Sequence, residues 1–169
     1  MTNDELAFTP VHALAAEMAA GRLTSTKLTE ACLGRIKAHG EKLHAFVAVY
    51  GDEALRAAHA ADEAIASGHR VGPFHGIPVA LKDIIDMKGR VTTGGSKVWE
   101  KRVSTRTATL AKKLISAGMI VLGKTHSVEF AMGSFGTNTH MGTPWNGPTR
   151  WPEAIASSAA CAARKASWA

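Results

Sequence analysis

The chain has 169 residues, 46% of them hydrophobic and 20% charged, enough to bury one core and too apolar for a disordered or low-complexity protein. Its formal charge is +6, but the basic residues stand singly or in pairs, with Lys101-Arg102 and Lys112-Lys113 the densest. That pattern offers nucleic acid no basic stripe. The two cysteines, Cys32 and Cys161, lie far apart without CxxC spacing, and the eight histidines include no HExxH, so neither a metal site nor a disulfide framework is expected.

At the N-terminus, Met1-Thr-Asn-Asp-Glu5 is acidic rather than signal-like, and no apolar run approaches about 20 residues. A cytoplasmic protein without a membrane partner is expected. Thr9 and Pro10 read as the N-cap and first position of a helix, with Val11, Leu14 and Met18 on one face and Gly21 as its stop. Ser25 or Thr26 opens a second helix. Leu28, Cys32, Leu33 and Ile36 form its buried stripe, and Gly40 ends it. Leu43 to Tyr50 is a short apolar run, either a strand or an extended connection. Asp52 caps a third helix, with Leu55, Ala58, Asp62 and Ile65 at helical spacing and Gly68 just past its end.

Next, Ile77, Val79 and Leu81 alternate with Pro78, Ala80 and Lys82, the period of a strand. Lys82 then falls on the face opposite the three large apolar residues. It is either an edge charge reaching water or a buried amine, and burial can turn an amine into a base near neutral pH. Asp86 to Ser104 reads as loop. Thr105 to Ala117 reads as an amphipathic helix closed by Gly118, and Met119 to Leu122 as a continuous apolar strand. Strand, loop, helix and strand in that order predict a right-handed crossover onto a partly parallel sheet. Ser127 to Met132 reads as another short helix. Two Gly- and Ser-rich loops, Thr92 to Ser96 and Met132 to Thr139, are either plain turns or the lining of a cleft. Neither has a phosphate-loop or dinucleotide fingerprint, and no cofactor is expected. The fold class is therefore α/β: a helical N-terminal prelude, then the first strands and helices of a mixed, partly parallel sheet.

The string Gly76-Ile-Pro-Val-Ala-Leu-Lys82-Asp83 is followed by Thr92-Thr93-Gly94-Gly95-Ser96 and Gly123-Lys124-Thr125. Glu129-Phe-Ala-Met-Gly-Ser134 and Gly142-Thr-Pro-Trp-Asn146 come next. These five ordered motifs resemble the amidase signature family, a match covering about residues 10 to 146. The resemblance implies hydrolysis or transfer of an amide by a Ser–cis-Ser–Lys triad. Lys82 matches the family's lysine, which in its neutral form relays a proton through the cis-serine to activate the nucleophilic serine, the logic of a weak hydroxyl beside a base. It also implies that the two Gly- and Ser-rich loops line the amide cleft, with Met132, Gly133 and Ser134 as substrate-binding residues. The implied partner is a small amide, and the implied fold is the first third of a longer, truncated amidase-signature domain.

The pattern holds over residues 1–146 and then stops. Residues 147–169, GPTRWPEAIASSAACAARKASWA, stand where the family has a Gly-Gly-Ser-Ser stretch. This tail is compatible with a one-base-shifted, reverse-complement reading of the codons for residues 53–73, partners running in opposite directions with numbers that sum to 220. Trp151 faces His69, Cys161 faces His59 and Lys165 faces Leu55 in that reading. An inverted copy of the gene's own segment is the expectation, and a CTN codon for Leu55 in the copy facing Lys165 contradicts it unless the copies have diverged. Ser157-Ser158 lie near the family's spacing for the cis-serine but lack its flanking glycines. A cis non-proline peptide costs about 2.5–4 kcal/mol, which needs a specialised backbone, so they are not taken as that site. Three functions remain open: an amidase or amidotransferase A-subunit fragment inactive alone, an enzyme using Ser157, and a non-catalytic binding fragment or gene remnant.

Overall fold

Residues 1–145 are described in a computed structural model; the tail from 147 onward lies outside the described residues. The first element is a helix that the sequence reading passed over, α1 (Asn3–Phe8), held by a capping box. Thr2 Oγ1 accepts from the Glu5 amide at 3.2 Å, and the Thr2 amide donates to Glu5 Oε2 at 2.7 Å. The reciprocal pair satisfies two otherwise orphaned donors and turns Leu6 into the core. Helix α2 (Val11–Ala19) begins one residue later than expected, with Pro10 as its cap, and Gly21 follows its end at φ 72°.

Helix α3 (Ser25–Leu43) does not stop at Gly40. A helical glycine costs about 1 kcal/mol against alanine without breaking a helix. The stop is instead His44, in the left-handed conformation, with its amide on the Gly40 carbonyl at 2.8 Å. The start of α3 is capped twice. Thr24 accepts from the Lys27 amide, and Asp62 reaches across from the next helix to accept from the Ser25 and Thr26 amides at 2.6 and 2.9 Å. Asp62 is thus an interhelical cap. The apolar run after α3 resolves into strand β1 (Phe46–Val49), and α4 (Gly51–Ala66) follows. Asp52 does not cap α4. It lies in the first turn, where a carboxylate complements the helix dipole. Gly68 ends this helix as expected: the Gly68 and His69 amides return to the Ile65 and Ala64 carbonyls at 3.1 and 2.8 Å.

Strand β2 (Pro78–Lys82) leads through a long loop, with a single 3-10 turn at Lys97–Trp99, into α5 (Thr109–Ser116) and β3 (Ile120–Thr125). Helix α5 is shorter than the Thr105–Ala117 expected because the residues before it pair elsewhere. The Ala108 amide donates to the Asp86 carbonyl, and Thr107 Oγ1 accepts from the Lys88 amide. Strand β3 is longer than expected, running through Gly123, Lys124 and Thr125. The anticipated helix at 127–132 is one 3-10 turn, Glu129–Ala131, with Phe130 and Ala131 at positive φ.

The sheet order is β1-β3-β2, with β3 antiparallel to β1 and parallel to β2. The mixed, partly parallel sheet is therefore present, and β2 is an edge strand among the described residues. Ala54 and Ala61 of α4 pack on Ile120 and Leu122 of β3, with Cys32, Leu33 and Ile36 of α3 partly buried beside them. A second cluster joins Leu6, Leu14, Met18 and Leu28 to Ile77. Both pairings of β3 slip by one residue, between Phe46 and Ala48 on one side and between Val79 and Ala80 on the other. Gly123 sits at this double irregularity because the Ala48 carbonyl approaches within 2.1 Å of where its Cβ would be. Bulges re-aim the side chains beside them, and the residue that follows is Lys124.

Candidate active site

Lys82 closes edge strand β2, its Cα opposite Thr125 of β3. Ile77 and Leu81 of the same segment are each 2% exposed, whereas Lys82 is half-buried. No ion pair among the described residues uses its ammonium. The residue is therefore neither a fully wet edge charge nor a deeply buried amine. That second description fits Lys124, which in sequence is one residue of the Gly123-Lys124-Thr125 motif.

Lys124 is fully buried. Its Nζ donates to the Ile85 carbonyl at 2.6 Å and to Thr92 Oγ1 at 2.9 Å, and stands 3.7 Å from Asp83 Oδ1. Asp83, 1% exposed, also accepts through Oδ2 from the amide and hydroxyl of Thr93. Burial acts on both charges. It pushes the Asp83 carboxyl above its ordinary range, opposed by Thr93 and Lys124, and pulls the Lys124 amine below its own, opposed by Asp83.

A second ion pair flanks this one. Arg102 donates to both oxygens of Asp86, at 3.0 and 2.9 Å, and to the Thr92 carbonyl at 3.1 Å. Ser104 Oγ bridges Asp86 and Thr92 at 2.7 and 3.0 Å. Hydrogen bonding from Arg102, assisted by Ser104, holds the Asp86 carboxyl below its usual range. A group depressed in the folded state stabilises above its unfolded value of 3.8 and loses that contribution as pH falls through its folded pKa. Asp86→Asn is accordingly expected to cost about 1–3 kcal/mol near neutral pH. The difference from wild type should shrink below pH 3.8, as read by urea unfolding across a pH series.

The loop Thr92 to Ser96 is buried throughout. Its hydrogen bonds point inward: Gly94 N to Asp83 O at 2.8 Å, Gly95 N to Thr93 Oγ1 at 3.0 Å, and Ser96 Oγ to Glu129 Oε1 at 2.7 Å. Gly95, at φ 72°, leaves no room for a Cβ, which would lie 2.5 Å from the Ser127 carbonyl. Asn138 Nδ2 ties the same glycine's carbonyl to that of Ser127 at 2.6 and 2.9 Å. This loop is an internal brace. The Met132 to Thr139 loop differs: Met132 is 84% exposed, and Gly133 and Ser134 are exposed beside it.

A cleft of about 360 Å³ opens next to the brace. Trp99 and Phe130 meet edge to face in its wall with centroids 5.0 Å apart, Arg102 stacks on Trp99 at 4.8 Å, and Ile84, Asp86, Thr92 and Gly94 complete the lining. Lys82, Met132, Gly133 and Ser134 are not among its lining residues, so the structure does not gather the four expected site residues into one cleft. Among the described residues no group of three or more His, Cys, Asp and Glu side chains could hold a metal ion, and no helix is long and apolar enough to cross a membrane.

Comparison with known proteins decides what this arrangement belongs to. The Amidase family model matches residues 27–163, a range that reaches past Asn146. The chain belongs to the amidase family. The A subunit of glutamyl-tRNA(Gln) amidotransferase from Streptomyces avermitilis is 46% identical over 136 residues, covering 79% of this chain and 27% of that protein. Its namesake from Mycobacterium avium is 47% identical over 137 residues and 28% of its length. Among solved structures, the peptide amidase of Stenotrophomonas maltophilia superposes with a TM-score of 0.73 at 36% identity, covering 82% of this chain and 30% of that one. Fatty acid amide hydrolase superposes with a TM-score of 0.79 over 86% of this chain and 26% of its own, and at 24% identity that likeness is one of fold. This amidase-family chain thus spans under a third of the length of these relatives, and its mixed α/β fold corresponds to a part of theirs.

Proposed function

We propose that this chain carries the first part of an amidase-type catalytic unit, which hydrolyses a carboxamide or transfers its nitrogen, with Lys82 as the base of a Ser–cis-Ser–Lys triad. The observation that carries this is the setting of Lys82. Its side chain, on the strand end of a sheet edge, is half-buried and has no carboxylate partner among the described residues. The carboxylate that follows it, Asp83, is spent on Lys124 and Thr93. No carboxylate among the described residues therefore competes with a serine hydroxyl for the Lys82 amine.

In this reading the exposed Met132, Gly133 and Ser134 receive the amide, and Lys82 takes the hydroxyl proton through the cis-serine. These 169 residues carry the lysine without the family's Gly-Gly-Ser-Ser stretch. On this reading the family's nucleophile and the backbone donors that stabilise an oxyanion belong to that missing stretch or lie beyond it. By itself this chain is expected to release no ammonia from a panel of aryl, peptide and glutamine carboxamides. Release that Lys82→Ala abolishes would contradict inactivity alone while supporting the role of Lys82, and release insensitive to that change would contradict both.

A further inference from the structure

We propose that Lys124 is a positioning residue for the Lys82 amine, acting through the turn that leaves β2. This rests on the reading of Lys82 as the amidase base. Lys82 ends an edge strand, so it has a ladder on one side only, and the last residue of such a strand is prone to fray. Its ammonium has no ion-pair partner among the described residues, so its backbone does more of the work of aiming it than it would for a salt-bridged lysine.

That backbone is fastened to β3 and to the buried loop at Gly94, and Lys124 holds the groups on either side of these ties. The Ile85 amide donates to the Lys82 carbonyl at 2.9 Å, and the Ile85 carbonyl accepts from Lys124 Nζ at 2.6 Å. The Asp83 amide donates to the Thr125 carbonyl at 2.9 Å, the Asp83 carbonyl accepts from Gly94 N at 2.8 Å, and its carboxylate faces the Lys124 ammonium. Thr92 Oγ1, the remaining acceptor of Lys124, joins the same turn to the buried brace. A neutral side chain of similar length would fill this volume without the desolvation penalty of a buried charge, yet would make none of these contacts. The ammonium thus ties the turn that leaves β2 back to β3, the strand with which β2 is paired.

The test uses the full 169-residue chain and needs no turnover, so it stands or falls apart from the amidase assay. Hydrogen exchange is followed at Asp83, Ile85 and Gly94, with helix α4 as the internal reference. Acetic anhydride labelling of Lys82 is measured against exposed Lys37 in the same sample. In Lys124→Met, exchange at the Ile85 amide is expected to rise about tenfold more than at α4, whose amides report any loss of global stability, and the Lys82-to-Lys37 labelling ratio is expected to rise with it. Thr92→Val should shift both readouts in the same direction by less, and Thr92→Ser, which keeps the hydroxyl, should restore them. If Lys124→Met does not fold, the Thr92 pair decides. Unchanged exchange and labelling in a folded variant, or acceleration of Ile85 by no more than the factor seen in α4, would overturn the proposal.

Discussion

Replacing Lys124 by methionine is expected to destabilise the protein by about 3–5 kcal/mol, the range for breaking a buried ion pair by removing one partner. Methionine fills much the same space, so lost packing is a small part of the effect. What remains is a carboxylate at 1% exposure without its cation, together with the Ile85 carbonyl and Thr92 hydroxyl that the ammonium had satisfied. Such a loss is a large fraction of the roughly 5–15 kcal/mol that a domain has in total. Urea unfolding followed by circular dichroism reads it directly. Adding Asp83→Asn removes the stranded charge. The double variant is therefore expected to be more stable than the sum of the two single changes implies, by about 0.5–3 kcal/mol. A Lys124→Met protein as stable as wild type would mean that the pair contributes no more than an apolar contact.

The second large effect is at Gly123. A Cβ there would lie 2.1 Å from the Ala48 carbonyl oxygen and 3.0 Å from Val49 Cα, both on the neighbouring strand's backbone. No rotamer change relieves such a contact, so the two strands must part. Gly123→Ala is expected to cost about 3 kcal/mol, the upper part of the range for overpacking. Because β3 is the central strand, β1 and β2 should loosen together. Gly34 is the control. It lies within α3 with nothing inside 4 Å of the place its Cβ would take, and Gly34→Ala should stabilise by up to about 1 kcal/mol through helix propensity alone. Opposite signs at two glycines in one thermal-unfolding series would separate close approach from backbone freedom. A neutral Gly123→Ala would contradict the tight pairing of β1 with β3.

Much of the fold was legible because it rests on local signals. The stripe of α3, the glycine that ends α4, the alternation that makes β2 and the apolar opening of β3 all report on nearest neighbours, and each element is present. The departures occur where a distant partner overrides the local signal. Helix α3 passes through Gly40 because nothing there demands a left-handed residue. Helix α5 loses its first turn because Thr107 and Ala108 pair with the loop at 86–88. Strand β3 reads from sequence as ending at Leu122 because glycine and lysine are poor strand formers, and only the sheet shows that they continue the ladder. Helix α1 escaped notice although Thr2 and Glu5 carry the spacing of a capping box.

The site divides in the same way. Lys82 stood out because a charge ends an alternating apolar run, and Lys124, just beyond the apolar run Ile120 to Leu122, carried a similar signal that went unused. The Asp86–Arg102 pair and Asn138 had no signal at all: sixteen residues separate the first two, and the loop that joins them has no period. The loop from Thr92 to Ser96 reads from sequence as either a plain turn or a cleft lining; in the structure it is a buried brace whose Gly95 lets backbone approach backbone, while Thr92 and Gly94 also line the cleft.

The most direct test of the role given to Lys82 is amide turnover by a graft. Residues 1–146 of this chain would replace the matching segment of the Streptomyces avermitilis amidotransferase A chain, assayed with that protein's own partner subunits. The graft is expected to release ammonia from a carboxamide, and Lys82→Ala to lower its kcat by about 10²–10⁴-fold, the usual weight of a positioned base, with unfolding unchanged. An active graft that turns over equally fast with alanine at position 82 would contradict that role.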